Sequence, residues 1–130
     1  MSDASDGSAG QLLDERVLAR LGDEVGDREA ALRFAAAYLG LLPTRVDRVC
    51  AACTASDSEA AEDAVLSLRV TSAMVGASLL MGLAAEVEMA VTRGDLVTAR
   101  TAADGLPRVA AATAAAVAAL LAEAYAVEHG

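Results

Sequence analysis

Cys50 and Cys53 stand three apart, the spacing of a redox pair or of half a zinc site. A redox pair needs a lowered thiol pKa, which the N-terminal end of a helix supplies. Here the surrounding apolar spacing puts both near the C-terminal end of a long helix, where the dipole opposes a thiolate. Zinc would need a second ligand pair, and the chain holds no third Cys and one His. Both cysteines are therefore read as small, buried or half-buried packing residues. His129, the only histidine, lies one residue from the C-terminus. A general base, metal ligand or phosphate carrier needs a fixed setting, and a chain end does not give one. Arg93-Gly94-Asp95 spells an adhesion tripeptide, but reads more simply as a helix stop followed by a cap.

The carboxylates are no better placed for catalysis. Glu86 and Glu88 are two apart and cannot meet on a helix. Glu59, Glu62 and Asp63 fall in the first turns of a helix, where the macrodipole favours acids. No nucleophile–base pair and no phosphate-cradling glycine loop is present. The chain is read as a non-enzyme with no cofactor and no metal site.

The elements that carry these residues are helical. The 130 residues suffice for one domain, and 55% are apolar. Alanine abounds, aromatic residues are 2% (Phe34, Tyr38, Tyr125), and mean hydropathy is +0.42. Alanine favours helix and is depleted in strands, which excludes an all-β fold. The net charge of −9 and pI of about 4.4 disfavour nucleic acid and anionic membrane surfaces. The uncharged stretch from Val109 to Leu121 is too short and too weakly apolar to span a bilayer. The N-terminus carries acids and no basic leader, so a cytoplasmic location is expected, with reduced thiols.

Residues 1–10 are Ser, Asp, Ala and Gly rich and read as a disordered tail; residues 11–127 read as a helical bundle. A first helix is expected from about Gln11 to Val25, on Leu13, Val17, Leu21 and Val25. A second runs from Arg28 to Thr54, with Leu32, Ala35, Leu39, Leu42, Val46, Val49 and Cys53 in steps of three and four. Pro43 should kink it. Ser56 and Glu59 fit a capping box opening a third helix that ends near Val75, on Ala61, Val65, Leu68, Ser72 and Val75. A fourth covers about Ser78 to Arg93. The last segment carries a stripe from Leu96 to Val127 interrupted at Gly105 and Pro107, giving either a kink or two helices. The expected fold is all-α: an antiparallel four-helix bundle with an additional short N-terminal helix, and a dimer of helical hairpins as runner-up.

A second face of the third helix carries Asp63, Leu66, Val70, Ala73, Met74 and Ala77. An apolar row on the side away from the core meets a partner, lies under the first helix, or is an unusually apolar surface.

From about Leu12 to Glu123 the chain resembles the histidine-containing phosphotransfer (HPt) domains of bacterial phosphorelays. Leu41-Leu-Pro-Thr-Arg-Val-Asp-Arg-Val49 is similar to that family's second helix, and Asp57-Ser-Glu-Ala-Ala61 to the turn that enters its histidine-bearing helix. Leu66-Ser-Leu-Arg-Val-Thr-Ser-Ala-Met-Val-Gly-Ala77 resembles the motif His-x-Leu-Lys-Gly and the small residues after it. Val87-Glu88 and Arg93-Gly-Asp-Leu96 are similar to its Leu-Glu pair and Gly-Asp turn. The resemblance puts Leu66 at the phosphoacceptor position, Arg69 at the lysine and Val70 at the small glycine. It implies a degenerate member that docks a response-regulator receiver domain or a histidine kinase and carries no phosphate. Glu62, Leu66, Arg69, Val70 and Ala73 are the partner-binding residues it implies. A self-associating structural bundle, dimeric through the same face, is the alternative; phosphotransfer through some other residue is the third reading.

Overall fold

The computed structural model describes residues 11–129; the side chains of Leu21, Glu24, Val25, Glu128 and His129 are outside the described set. The readings of residues 1–10 and of the His129 side chain therefore lie outside the described residues. Among the described residues six helices follow one another: α1 (Glu15–Val25), α2 (Arg28–Thr54), α3 (Ser58–Met74), α4 (Ser78–Thr92), α5 (Leu96–Ala103) and α6 (Leu106–His129). No strand occurs among the described residues. The fold is the all-α antiparallel bundle expected. α2, α3, α4 and the α5–α6 pair form its four sides, and α1 packs across α2.

The first four turns share one construction. Gly26, Ser56, Gly76 and Gly94 each take a positive φ, between 57° and 78°. The next residue's N–H then donates to a carbonyl five residues back: Asp27 to Gly22, Asp57 to Ala52, Ala77 to Ser72 and Asp95 to Ala90. In three of the four that next residue is an Asp whose side chain caps the following helix, accepting from Ala30, Ala60 or Thr98 N–H. One residue stops a helix and its neighbour starts the next, which forces tight reversals and antiparallel packing.

This construction corrects two expectations. The N-cap of α3 is Asp57, not Ser56; Ser56 closes α2 in the left-handed region, so no Ser56–Glu59 capping box forms. The first helix starts at Glu15, because the Asp14 carboxylate accepts from Arg16 N–H and fixes the start there. Pro43, where a kink is expected, lies inside α2, which runs as one helix from Arg28 to Thr54. The last segment is two helices, with Pro107 in the first turn of α6, where its missing N–H costs least.

Most of the expected core rows are buried, but Leu13, Val17, Leu32, Leu39 and Leu96 are only half-buried and Val127, the end of the last stripe, is 81% exposed. Tyr38 (1% exposed), Leu18, Ala84 and Val91 also lie inside. The Tyr38 hydroxyl meets the Ser72 hydroxyl at 2.9 Å in the interior, joining α2 to α3. The core has two parts. The larger spans α2 to α6, from Tyr38 to Ala110; the smaller is Leu18, Ala31, Ala35 and Val117. On α6, Thr113 sits in sequence between them, fully buried, its hydroxyl without a partner.

The length argument against membrane spanning does not hold. Leu96–Val127 is long and apolar enough to cross a membrane by length and composition, with a mean hydropathy of 1.7 over its best window. Of that window 17% is buried in the fold, and Leu106, Ala110, Thr113 and Val117 are among the buried residues of the segment.

Candidate functional site

α3 divides its residues sharply. Ala61, Val65, Leu68 and Ser72 are 0% exposed, while Leu66, Val70 and Met74 are 45%, 41% and 42% exposed. The exposed three are one turn apart and stand on the side of α3 away from the core. Glu62 and Asp63 are exposed one turn before Leu66, and Ala73 is half-buried one turn after Arg69 and Val70. Ala77, expected on this row, is instead fully buried at the start of α4. The chain leaves the helix at Val75, so the helical period no longer applies to it.

Arg69 is not a free charge. Its Nε donates to Glu88 Oε1 of α4 at 2.6 Å, with both side chains about one-third exposed. The pair bridges the two helices beside Leu66. Among the hydroxyls beside Leu66, Thr71 Oγ1 donates to the Ser67 carbonyl at 2.7 Å, tying it to its own helix.

Gly76 anchors the other end of α3. Its carbonyl accepts from Asp14 N–H at 2.7 Å and from Ser78 N–H at 2.8 Å. Its φ is +78°, and a Cβ there would overlap the Asp14 carbonyl oxygen. The glycine thus permits both the turn and the close approach of the chain entering α1.

The cysteines fit the packing reading. Cys53 is fully buried and Cys50 half-buried, its thiol donating to the Ala103 carbonyl at 3.5 Å. Burial pushes both thiols above their usual value. No group of three or more His, Cys, Asp or Glu side chains that could hold a metal ion occurs among the described residues. A groove of about 580 Å³ lies between α1, α2 and α6, over Leu18, Ala31 and Leu120, and no α3 residue lines it.

Sequence reasoning found the Leu66 row from its period but missed the Arg69–Glu88 bridge. A contact between two helices leaves no trace in either helix's own spacing.

No protein-family model matches the sequence, and no curated protein matches it. Among solved structures, the chain superimposes on histidine-containing phosphotransfer protein B from Pseudomonas aeruginosa PAO1 with a TM-score of 0.77 and 24% identity. The match covers 88% of this chain and 97% of that one. At that identity the likeness establishes architecture, and the chain has the helical-bundle fold of a histidine-containing phosphotransfer protein.

Proposed function

We propose that this chain is a pseudo-phosphotransfer protein of two-component signalling. It docks a receiver domain, or the kinase that serves one, on the exposed face of α3 and carries no phosphoryl group. The observation that supports this reading most is Leu66. It is 45% exposed at the middle of α3, in a bundle that shares its fold with a phosphotransfer protein. By the resemblance of the Leu66–Ala77 segment, that is the phosphoacceptor position.

A leucine offers no lone pair to phosphorus. Thr71 holds its hydroxyl against the Ser67 carbonyl, and the two thiols are buried or half-buried with raised pKa values. What the face offers instead is apolar area beside fixed charges, the makeup of a docking surface. Such a protein occupies a receiver without draining its phosphate, and so competes with phosphate-carrying partners. This activity belongs to the cytoplasm.

The test pairs retention with labelling. Purified receiver domains passed over the immobilised chain are expected to be retained, and retention is expected to be lost with Leu66→Glu. The chain, incubated with a phosphorylated receiver, is expected to take up no label stable to base and labile to acid. Stoichiometric labelling of that kind would overturn the pseudo-phosphotransfer reading; failure of every receiver to bind would overturn the docking one.

A further inference from the structure

We infer that the α3 face takes a partner whose apolar docking patch is bordered by arginine and lysine, and that it excludes a second copy of this chain. This rests on the docking reading above and adds the partner's chemistry.

The apolar centre is Leu66, Val70 and Met74, all more than 40% exposed. The helical neighbours of Leu66 at i−7, i−4 and i−3 are Glu59, Glu62 and Asp63, all exposed carboxylates. The only cation on α3 is Arg69, and Glu88 holds it at 2.6 Å. The face therefore presents carboxylates and no unengaged positive charge from its own helix. On α2, Arg45 is half-buried with its charge acting on the Tyr38 hydroxyl, while Asp47 acts on the Cys50 thiol, which faces α5. α4 contributes Glu86 and Glu88, and the turn after it sets Arg93 beside Asp95. On α3 and at its bridge to α4, Glu59, Glu62, Asp63 and Glu88 stand against Arg69, a surplus of three negative charges (four less one).

A second copy would bring the same surplus to the contact, together with a whole-chain charge of −9 on each side. Like-charge juxtaposition opposes association. A basic border on the partner reverses the sign. It pairs with Glu59, Glu62 and Asp63 around the edge while the apolar centre is buried.

The experiment is a binding series with purified receiver domains chosen to differ in the charge bordering their apolar docking helix. Each is measured against the native chain, Leu66→Glu and the double variant Glu62→Arg/Asp63→Arg, with circular dichroism verifying that each variant is folded. Receivers with basic borders are expected to bind. Their affinity is expected to fall about tenfold or more as salt rises from about 0.05 to 1 M, where the screening length shrinks to about 3 Å. The double reversal is expected to weaken them by a similar factor and to strengthen receivers with acidic borders. Receivers that bind without regard to border charge, salt or reversal would overturn this inference and leave the docking reading intact. If no receiver binds, both fall together. Sedimentation equilibrium at low salt is expected to give a monomer. A dimer dispersed by Leu66→Glu would overturn the inference in favour of a second copy.

Discussion

Leu66 and Leu68 are two residues apart on one helix, and the structure assigns them opposite fates. Leu66 is 45% exposed and Leu68 0%. Replacing each by Glu separates a surface from a core. Full burial of a leucine is worth about 1.5–3 kcal/mol, so the covered half of Leu66 accounts for about 1 kcal/mol. Much of that cover is the flank of its own helix, which the methylenes of a glutamate keep. Leucine and glutamate have similar helix propensities. The new carboxylate meets Glu62 and Asp63 at i−4 and i−3, each costing about 0.2–0.5 kcal/mol, and Arg69 at i+3 offsets part of it. The expected loss for Leu66→Glu is about 0.5 kcal/mol, a fall in melting temperature of about 2–3 °C. At Leu68 the same charge enters a dry core and costs several kcal/mol. That is a large share of the about 5–15 kcal/mol holding a domain together, and the variant is expected to lose its cooperative melt. Thermal melting followed by circular dichroism reads both. A collapse of Leu66→Glu comparable to that of Leu68→Glu would show the α3 face to be covered and would refute the docking surface at its root.

Three further outcomes follow from the turns and buried groups. Gly76→Ala is expected to cost more than the about 1 kcal/mol of a left-handed alanine. Its Cβ also displaces the Asp14 carbonyl and breaks the Asp14–Gly76 hydrogen bond, so denaturant unfolding and loss of amide protection at Asp14 should appear together. Ser56→Gly is expected to stabilise by up to about 1 kcal/mol, since Ser56 bears a φ of +57° without being a glycine; a lower melting temperature would contradict this. Alkaline pH is expected to weaken the fold. Burial raises the pKa values of Cys50, Cys53 and Tyr38 above those of the free side chains. The unfolded chain then releases protons that the folded one still holds, so the stability is complete below those values and is lost as pH rises through and beyond them. Cys53→Ala should flatten the decline, and an unchanged slope would count against it.

The long stripes on α2, α3 and α6 were legible because steps of three and four leave one side of a helix in the dark over many turns. Tyr38 was not, since its hydroxyl marks it as polar until Ser72 is seen to receive it. Leu18 escaped because α1 is short and its apolar residues fit more than one row, so Val17 was as good a choice. The start of α3 misled because Ser56 and Asp57 are both good caps, and only the closure of α2 decides between them. On the α3 face the row Leu66, Val70 and Met74 could be read from period alone. The engagement of Arg69 by Glu88 could not, because it depends on how two helices are set side by side.

The division of the core has a consequence for how this protein opens. The lesser cluster holds Leu18, Ala31, Ala35 and Val117 and is the part to which α1 contributes, whereas the exposed α3 row sits over the greater one. Thr113 between them on α6 offers a buried hydroxyl that binds neither side. Free energy of opening is not uniform where packing is so divided. The end of the bundle holding α1 is expected to open before the rest, giving amide exchange in two tiers, the faster on α1 and the first turns of α2. A partner seated on α3 would then protect the slower tier directly and reach the faster one through the Gly76 carbonyl, the hydrogen-bonded link between the α3–α4 turn and the chain entering α1.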